Sequence, residues 1–302
     1  MTKPRYAYGV LSYSFIVTKG GLAVRISEEI ITSRQNKSVS LAAGLDNRKI
    51  REKEGLFRFD GSKLFSEAAL GGVRIDRILL RQSEAPKWLA LAGGYGECLD
   101  DTVVLILSDA LFDRISEERA PEGIISIAER PAIHAREGAE SRVALEGLAS
   151  DMEKRILLLE SVRDTGNVGT ILRSASAFGI DLVVLSLDCA DLFNPKTVRG
   201  AMGALFRQKT AVFSDITEAI GLLRSCGRRV FGAALDRNAV ALGRSVLQKG
   251  DCAVIGNEGH GLTAKTLAAC GDTLFIPMEE GSESLNAAIA ASVIMWSMYT
   301  GL

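Results

Sequence analysis

The sequence CAVIGNEGHGL, residues 252–262, places an uninterrupted apolar stretch directly before a loop that contains three glycines. The stretch Cys252–Ile255 predicts a short strand buried on both faces, because a half-exposed strand would alternate apolar and polar residues. The glycines at 256, 259 and 261 leave backbone N–H and C=O groups accessible to a ligand. A ligand-binding loop and an ordinary tight turn both explain this spacing.

Similar apolar stretches recur on both sides of this segment and alternate with segments of helical periodicity. The other predicted strands are Ile156–Leu159, Leu182–Leu187, Val230–Leu235 and Thr273–Ile276. The predicted helices are Asn167–Phe178, a short helix that opens at Pro195, and Asp215–Cys226. Apolar strands separated by helices are typical of an α/β fold with a mostly parallel sheet covered on both faces. Such sheets bind ligands at the carboxyl ends of their strands.

A polar loop, SVRDTGNVGTILR at residues 161–173, follows the predicted strand at 156–159. Asn167 is expected to cap the next helix, and Gly169 allows another backbone or a ligand to approach closely. Arg173 lies almost two helical turns after Asn167, so only its long side chain can reach the same end of the sheet. Taken alone, this loop is explained by a capped helix with a surface arginine.

A third loop, FIPMEEGSESLN at residues 275–286, precedes a helix rich in alanine and serine. Ser284 is expected to be the N-cap of this helix, with Asn286 in its first turn. The small residues predict close packing against a sheet or a second subunit. A capped core helix explains Ser284 well, but it leaves Asn286 without a purpose.

Several classes of site are disfavoured by the same residues. The glycine spacing G-x-x-G-x-G differs from the G-x-G-x-x-G of dinucleotide-binding folds, and the loop lacks the lysine of a phosphate-binding P-loop. A nicotinamide enzyme is therefore disfavoured. Five cysteines without a C-x-x-C pair and only two histidines predict neither a zinc site nor a disulfide framework, so no metal is expected.

Charge and length bound the remaining possibilities. A net charge of −1 argues against a protein that coats nucleic acid through charge alone. Residues 34–87 nevertheless hold 12 Lys and Arg against 7 Asp and Glu, which an RNA contact or a solvated helix surface would explain. No apolar run is long enough to span a bilayer, and the N-terminus lacks an apolar signal core. We expect a cytoplasmic protein without a membrane contact.

The length of 302 residues is enough for two domains. We expect an N-terminal extension of unassigned role at residues 1–33 and a smaller α/β domain at 34–135. Residues 136–154 are polar and predict a linker, with a solvated surface helix as an equal alternative. Within the smaller domain, Phe65–Leu70 is predicted to be helical, and strands are predicted at Ile75–Leu80, Thr102–Leu107 and Ile124–Ile127.

The three loops together resemble the SpoU (TrmH) family of the SPOUT methyltransferase superfamily. Its motif N-x-G-x-x-x-R matches residues 167–173, its motif G-N-E-G-x-G-L matches residues 256–262, and its I-P-M and S-L-N match residues 276–278 and 284–286. The stretch VRGAMGALF, residues 198–206, is similar to the family's segment between the first two motifs. The resemblance covers residues 155–300 with all motifs in order.

The smaller domain resembles the RNA-binding domain that accompanies many members of this family. Residues 47–61 resemble its opening, and residues 121–124 resemble its exit toward the catalytic domain. The triplet Phe59-Asp60-Gly61 departs from the more usual apolar-Glu-Gly, which puts an RNA contact there in doubt.

The resemblance implies a SPOUT domain with a trefoil knot at residues 155–302 and S-adenosylmethionine as cofactor, bound among the three loops. It also implies a homodimer whose sites are completed across the interface, and an RNA substrate. The implied cofactor-binding residues are Gly256, Asn257, Gly261, Ile276, Met278, Leu285 and Asn286, with the adenine against the side chains at 276, 278 and 285. The implied catalytic residues are Asn167, Arg173, Glu258, Ser284 and Asn286.

The activity implied by the resemblance is transfer of a methyl group to a ribose 2′-hydroxyl, with ribosomal RNA as the first expectation. Arg173 would sit beside the hydroxyl and the adjacent phosphate, where it would assist deprotonation or clamp the phosphate. Asn167 and Asn286 would orient Arg173 and the ribose. Glu258 would hold the loop or pair with Arg173, and Ser284 would fix the turn of the third motif.

Three alternatives remain open at this point. One is transfer to ribose in transfer RNA, a second is methylation of a base, and a third is an RNA-binding factor that keeps the fold without activity. The segment from Asn167 to Arg173 and the S-L-N triplet favour ribose over base methylation. The complete set of motif residues argues against an inactive protein.

Overall fold

A computed structural model describes residues 13–17, 23–92, 99, 101–236, 238–243, 247–279 and 284–301. The chain divides into two compact units, residues 1–131 and 132–302. Each unit contains its own β-sheet. Among the residues described, no helix has both the length and the apolar character needed to cross a bilayer.

The first unit is built around a mixed sheet with the strand order β1-β2-β5-β4-β6-β3. Its described elements are β1 (Tyr13–Val17), β2 (Ala23–Ile31), α1 (Lys37–Gly44), α2 (Arg48–Glu54), β3 (Leu56–Asp60), α3 (Ser62–Leu70), β4 (Ile75–Arg81), α4 (Ala85–Ala92), β5 (Val103–Leu107), α5 (Asp109–Ile115) and β6 (Ile124–Glu129). Strands β2, β5 and β4 are parallel neighbours, and the other pairs are antiparallel. The predicted helix and the three predicted strands of this region are all present.

The structure corrects the expected N-terminal extension at residues 1–33. Strand β2 pairs with β5 in parallel and buries Val24, Ile26 and Ile31, so this segment completes the sheet of the first unit. Its sequence AVRISEEII hides the strand because two glutamates interrupt the apolar pattern. Residues 1–12 and the glycine pair at 20–21 lie outside the described residues.

Asp60, which departs from the family pattern, has a structural partner inside the first unit. The guanidinium of Arg58, only 1% exposed, donates to the Asp60 carboxylate at 2.9 Å and to the Ile115 carbonyl at 2.9 Å. Asp60 also accepts a hydrogen bond from the Ser116 hydroxyl at 2.9 Å. A buried charge requires such pairing, so Asp60 stabilises the junction between β3 and the end of α5.

The second unit has an eight-stranded sheet with the order β12-β14-β11-β13-β8-β9-β10-β7, in which every described pairing is parallel. Its elements are β7 (His134–Ala135), α6 (Ala139–Ala149), β8 (Ile156–Leu159), α7 (Thr165–Ala177), β9 (Leu182–Ser186), α8 (Pro195–Ala201), a 3-10 turn (Ala204–Phe206), β10 (Thr210–Phe213), α9 (Ile216–Ser225), β11 (Val230–Ala233), β12 (Val240–Ala241), β13 (Cys252–Ile255), α10 (Ala264–Cys270), β14 (Gly271–Phe275) and α11 (Ala287–Thr300).

The parallel sheet predicted from the apolar strands is confirmed. Strands β8 and β13 have the predicted bounds, lie side by side in the middle of the sheet and are buried throughout. Strand β14 pairs with β11 and not with β13, which precedes it in the chain, so the connection crosses over a neighbouring strand. The trefoil knot that the resemblance implies stays a prediction.

The segment predicted as a linker, residues 136–154, consists mainly of helix α6, so the helical alternative is the correct one. Leu145 and Ala149 on this helix are fully buried, and the Ser141 hydroxyl accepts a hydrogen bond from the Val212 N–H of β10 at 2.7 Å. The buried guanidinium of Arg228 donates to carbonyls at the end of α6, including that of Ala149 at 2.6 Å. Few buried positions are enough to anchor this helix, which explains its polar sequence.

Helices α7 and α8 cross in close contact at two glycines. A Cβ atom at Gly169 would lie 2.7 Å from the Thr197 carbonyl oxygen and 2.9 Å from Gly200 Cα. The prediction that Gly169 permits a close backbone approach is therefore confirmed, with α8 as the approaching element. This crossing sets the position of the first turn of α7, which carries part of the candidate site.

We expect Gly169→Ala to lower the free energy of unfolding by about 1–3 kcal/mol, because the added methyl meets backbone atoms that cannot rotate away. In the matched change Gly221→Ala, in the middle of α9, the added methyl meets no atom of the described residues within 4 Å. It should instead raise stability by about 0.5–1 kcal/mol, since alanine is the better helix former. Urea unfolding measures both values. Equal shifts in the two variants would contradict the close crossing.

Candidate active site

The three polar loops lie at one edge of the sheet in the second unit. Because β8, β13 and β14 all run parallel, the loops that follow them leave the sheet at their carboxyl ends. Residues 280–283 of the third loop lie outside the described residues. In the described parts, hydrogen bonds join the side chains of all three loops.

Glu258, in the loop after β13, holds the start of α7. Its carboxylate accepts hydrogen bonds from the Asn167 side-chain amide at 2.8 Å, the Asp164 N–H at 3.2 Å and the Arg163 N–H at 3.4 Å. The second motif is therefore bound to the first through a single carboxylate. Of the two roles predicted for Glu258, the contacts correspond to holding the loop.

Asn286, in the third motif, continues this chain of hydrogen bonds. Its side-chain N–H donates to the Asn167 carbonyl oxygen at 3.0 Å, while its oxygen accepts from the backbone N–H groups of Ala288 and Ile289. Those N–H groups can only donate, so Asn286 must turn its oxygen to the helix and its NH₂ to Asn167. Asn167 must then turn its own NH₂ toward Glu258. In the hydrogen-bond chain Glu258–Asn167–Asn286, each side chain therefore has a fixed role: Asn286 donates to Asn167, and Asn167 donates to Glu258.

Two predicted helix caps are wrong, and the difference bears on the site. Asp164 and not Asn167 caps α7, since its carboxylate accepts from the Asn167 N–H at 2.8 Å. Asn286 and not Ser284 caps α11. Helix α7 begins before Asn167, which leaves the Asn167 side chain available for Glu258. Ser284 is exposed and lines the cavity described below.

Burial of Glu258 acts to raise its pKa, but the hydrogen bond from Asn167 and those from backbone N–H groups outweigh it, so the pKa is lowered. Each of these donors stabilises the charged form of the carboxylate. Glu258 is therefore ionised at neutral pH and is a weak base. Its geometry suits it to organise loops and not to accept a proton.

Arg173 lies exposed on α7. In the part of the chain that the structure describes, its guanidinium has no hydrogen-bond or ion-pair partner. The alternative in which Glu258 pairs with Arg173 does not match the geometry. The side chain is available to an anionic group that approaches α7 from solvent.

A cavity of about 290 Å³ opens beside this chain of hydrogen bonds. Six of the seven residues predicted to bind a cofactor line it, namely Gly256, Asn257, Gly261, Ile276, Met278 and Leu285; Asn286 does not. Further lining residues were not predicted from the sequence, namely Ala233, Ala234 and Leu235 at the end of β11 and Ala287, Ala290 and Ile294 on α11. The end of β11 could have been included, because it is another parallel strand of the same sheet.

The loop after β13 is closed on itself by backbone hydrogen bonds. The Asn257 N–H donates to the Gly261 carbonyl at 3.1 Å, and the Gly261 N–H donates to the Asn257 carbonyl at 3.0 Å. The Asn257 side chain accepts from the Gly259 N–H at 2.9 Å and donates to the Ser161 carbonyl at 2.7 Å. Asn257 therefore shapes the wall of the cavity with its side chain turned into the loop.

Gly256 is confined by the far side of the same loop. A Cβ atom there would lie 2.4 Å from the Gly261 carbonyl carbon and 2.5 Å from the Leu262 nitrogen. Only glycine permits this closure, because the obstructing atoms are all backbone. Gly261 itself has a φ of +67°, in the left-handed region that favours glycine.

The chemistry of the cavity is mainly apolar. Among the described residues that line it, Glu258 is the one with a charged side chain. Leu235, Ile276, Met278 and Leu285 supply apolar surface, and the glycine loop supplies backbone groups. Such a lining suits an apolar ring joined to a neutral or cationic group, and it offers no cation to a phosphate.

Glu160 is a polar residue near the site that sequence analysis missed. It is 6% exposed and accepts hydrogen bonds from the Thr263 N–H at 2.9 Å and from the hydroxyls of Thr263 and Thr266 at 2.9 and 2.5 Å. These contacts fix the start of α10 directly after the glycine loop. In the sequence, a single glutamate after an apolar strand resembles any residue that enters a surface loop.

The family comparison identifies the region that holds this site. Residues 154–296 match the model of the SpoU rRNA methylase family. They belong to that family. Residues 36–126 match a second model, the MRM3-like substrate binding domain. The SpoU match confirms the resemblance inferred from the three motifs, and the second match agrees with the smaller domain expected before it.

Similar proteins extend over nearly the whole chain. The 23S rRNA (guanosine(2553)-2'-O)-methyltransferase RlmP of Bacillus subtilis is 29% identical over 270 residues, which cover 89% of this chain and 98% of that protein. The 23S rRNA (uridine(2479)-2'-O)-methyltransferase of Streptomyces viridochromogenes is 28% identical and covers 88% of this chain and 90% of its own. Both are similar across the SpoU region and the unit that precedes it.

A solved structure supports the fold. The crystal structure of an AdoMet-bound rRNA methyltransferase from Sinorhizobium meliloti superposes with a TM-score of 0.74 and covers 92% of this chain and 98% of that one, at 24% identity. The superposition includes both units. The α/β class predicted from the strand pattern is therefore confirmed.

Proposed function

We propose that the protein transfers a methyl group from S-adenosylmethionine to a ribose 2′-hydroxyl of ribosomal RNA. The observation that carries this proposal is the directed chain Glu258–Asn167–Asn286, which joins all three SpoU motifs beside an apolar cavity. The two 23S rRNA relatives, whose names specify 2'-O methylation, support ribose as the acceptor. The substrate-binding match at residues 36–126 supports an RNA partner.

The cavity fits S-adenosylmethionine. The side chains of Ile276, Met278 and Leu285 would hold the adenine, and backbone groups at Gly256 would contact its edge. The Glu258 carboxylate lines the cavity and would provide negative charge for a cationic sulfonium. When bound, the cofactor supplies a methyl group on a good leaving group. The related Sinorhizobium protein was crystallised with AdoMet bound.

Arg173 is the residue we assign to the RNA side of the reaction. A guanidinium remains protonated at neutral pH, so it serves better as a phosphate clamp than as a base. Its exposure and its lack of a partner among the described residues leave both branches of its fork available to phosphate oxygens. Holding the phosphate would fix the adjacent 2′-hydroxyl in line for attack.

The two asparagines and the serine of the motifs orient the reacting groups. Asn167 and Asn286 are locked by their hydrogen bonds and cannot rotate independently. Glu258 already accepts several hydrogen bonds and has a lowered pKa, so we do not assign it the proton of the hydroxyl. Ser284 lines the cavity at the turn of the third motif, where it would shape the approach of substrate.

We propose that the protein acts as a homodimer through α11. Three large side chains on this helix are about half exposed, namely Ile289 (53%), Trp296 (48%) and Tyr299 (52%). Trp296 and Tyr299 both pack against the ring of Phe178, which extends the apolar surface onto the end of α7. A surface of this kind favours association with another protein surface. Light scattering should give twice the mass of the chain.

A cytoplasmic location stays a prediction.

Transfer of labelled methyl from S-adenosylmethionine to separated ribosomal and transfer RNA tests the proposed function. After alkaline hydrolysis, we expect label in alkali-resistant dinucleotides from ribosomal RNA, since a 2′-O-methyl group blocks cleavage at its own nucleotide. Label in mononucleotides would indicate base methylation. Label found in transfer RNA and not in ribosomal RNA would mean that transfer RNA is the substrate. Cofactor binding without any label would favour an inactive RNA-binding protein.

A further inference from the structure

The loop that follows strand β8 contains a residue in an unusual backbone conformation. Ser161 has a φ of +55°, in the left-handed region that residues other than glycine rarely adopt. Such a conformation persists only where surrounding contacts enforce it, and it is found most often at functional sites. Ser161 is the first residue of the loop that leads to α7, so its conformation sets the path of that loop.

Asp188, which follows strand β9, supplies two of the contacts that hold this loop and a third to the side chain beneath it. Its carboxylate accepts hydrogen bonds from the hydroxyls of Ser161 and Ser186, both at 2.6 Å, and from the Arg163 guanidinium at 3.0 Å. The Ser186 hydroxyl in turn accepts from the Ser161 N–H at 2.8 Å. One carboxylate thus holds two residues of the loop and the side chain that supports its first N–H group.

The segment that Asp188 holds is also the segment that contacts the second motif. The Ser161 carbonyl accepts from the Asn257 side chain at 2.7 Å. The N–H groups of Arg163 and Asp164 donate to the Glu258 carboxylate at 3.4 and 3.2 Å. Displacement of this loop would therefore remove donors from Glu258 and disturb its hydrogen bond to Asn167.

We propose that Asp188 is a positioning residue for methyl transfer, acting through the loop of residues 161–164 on Glu258 and hence on Asn167. This inference rests on the proposed function. Asp188 does not line the cavity, so its effect is on the arrangement of the site and not on cofactor contacts. Nothing in the SpoU motifs singles it out, because it lies in the stretch between the first two of them.

The role requires the charged carboxylate. Partial burial acts to raise the pKa of Asp188, but the hydrogen bonds from Ser161, Ser186 and Arg163 outweigh it and lower the pKa, so the group is ionised at neutral pH. An asparagine has the same shape but only one accepting oxygen, and its NH₂ would face a donor. Asp188→Asn therefore breaks at least one contact with the loop without changing the volume of the side chain.

We expect Asp188→Asn to lower kcat by about 10- to 100-fold, because a small misplacement of positioning groups is costly to transfer. The matched control is Asp215→Asn at the start of α9. Asp215 also accepts several hydrogen bonds, from the Thr217 N–H at 3.0 Å, the Thr217 hydroxyl at 2.7 Å and Lys265, but none of these comes from the loop of residues 161–164. The control should change kcat by less than about twofold. Cofactor affinity, measured by calorimetry, should be unchanged in both variants.

A double-mutant cycle with Glu258→Gln separates positioning from a general loss of structure. If Asp188 acts through Glu258, the kcat of the double variant should be no lower than that of the less active single variant. Additive losses would overturn the proposal, since they would mean that the two residues act independently. A drop in melting temperature without a drop in kcat would overturn it as well.

Amide hydrogen exchange decides the same question without an activity assay. The N–H groups of Arg163 and Asp164 should exchange at least about tenfold faster in Asp188→Asn than in the wild type or in Asp215→Asn, because the loop that carries them moves away from the Glu258 carboxylate. Unchanged exchange would overturn the proposal. Ser161→Ala, which removes one hydroxyl, gives the same readout if the first variant folds poorly. Failure of the wild type to methylate RNA would refute the proposed function and leave the exchange result intact.

Discussion

Arg173→Ala is expected to lower kcat for methyl transfer by about 100- to 1000-fold, the usual cost of removing a charged group that acts on the reacting centre. The side chain is exposed on α7 and has no partner among the described residues, so its loss should not disturb the fold. It is also absent from the described lining of the cavity, so cofactor affinity should remain within about twofold of the wild type. Steady-state kinetics with RNA and calorimetry with S-adenosylmethionine measure the two effects.

Two further variants sharpen this prediction. Arg173→Lys keeps the charge but loses the planar fork, so its kcat should fall between those of the wild type and the alanine variant. Arg142→Ala removes an exposed arginine of α6 whose one ion-pair partner among the described residues is Glu146 in the same helix, and it should behave as the wild type. Loss of cofactor binding in Arg173→Ala would contradict the assignment of this residue to the RNA side.

The parts of the fold that sequence analysis predicted are those in which each strand is apolar from end to end. Strands β8 and β13 are buried on both faces, so their composition alone reveals them. Strand β10, next to the edge strand β7, is mostly buried as well, but its four residues TAVF follow polar residues and did not form a recognisable pattern. Strands β7 and β12 have two residues each, too few for any pattern.

The helix caps illustrate a different limit. Asp164 and Asn167 are both good N-cap residues, and their order in the sequence does not decide which one caps α7. The decision depends on where the helix begins, which is set in part by its close crossing with α8 at Gly169. The partner of the Asn167 side chain, Glu258, lies 91 residues further along the chain. Only the fold reveals that contact.

Residues outside the motifs were the hardest to predict. The motifs led to all members of the hydrogen-bond chain Glu258–Asn167–Asn286 and to six cavity residues predicted to bind the cofactor, although their catalytic and binding roles stay predictions. Glu160 and Asp188, just after β8 and β9, also hold loops of the site in place through hydrogen bonds. Each is a single acidic residue after an apolar strand, and its importance arises from hydroxyl groups that only the folded chain brings near.

Gly256→Ala is expected to weaken binding of S-adenosylmethionine by about 10- to 100-fold, equivalent to an overpacking cost of about 1–3 kcal/mol. The new Cβ atom would lie 2.4 Å from the Gly261 carbonyl carbon, a distance that forces the loop to open. Opening breaks the paired hydrogen bonds between Asn257 and Gly261 and moves one wall of the cavity. Calorimetric titration with the cofactor measures the loss directly.

Gly259→Ala is the matched control, because it adds the same methyl group to the same loop. Among the residues that the structure describes, the Cβ atom at this position would meet the Asn257 side-chain oxygen alone, at 3.6 Å, an ordinary contact, so the loop can keep its closure. The loss of affinity should therefore be at least about tenfold smaller than for Gly256→Ala. Similar losses in both variants would mean that the loop simply tolerates no added bulk. A loss confined to Gly256→Ala would mean that closure of the loop on its own backbone is what forms the cofactor wall.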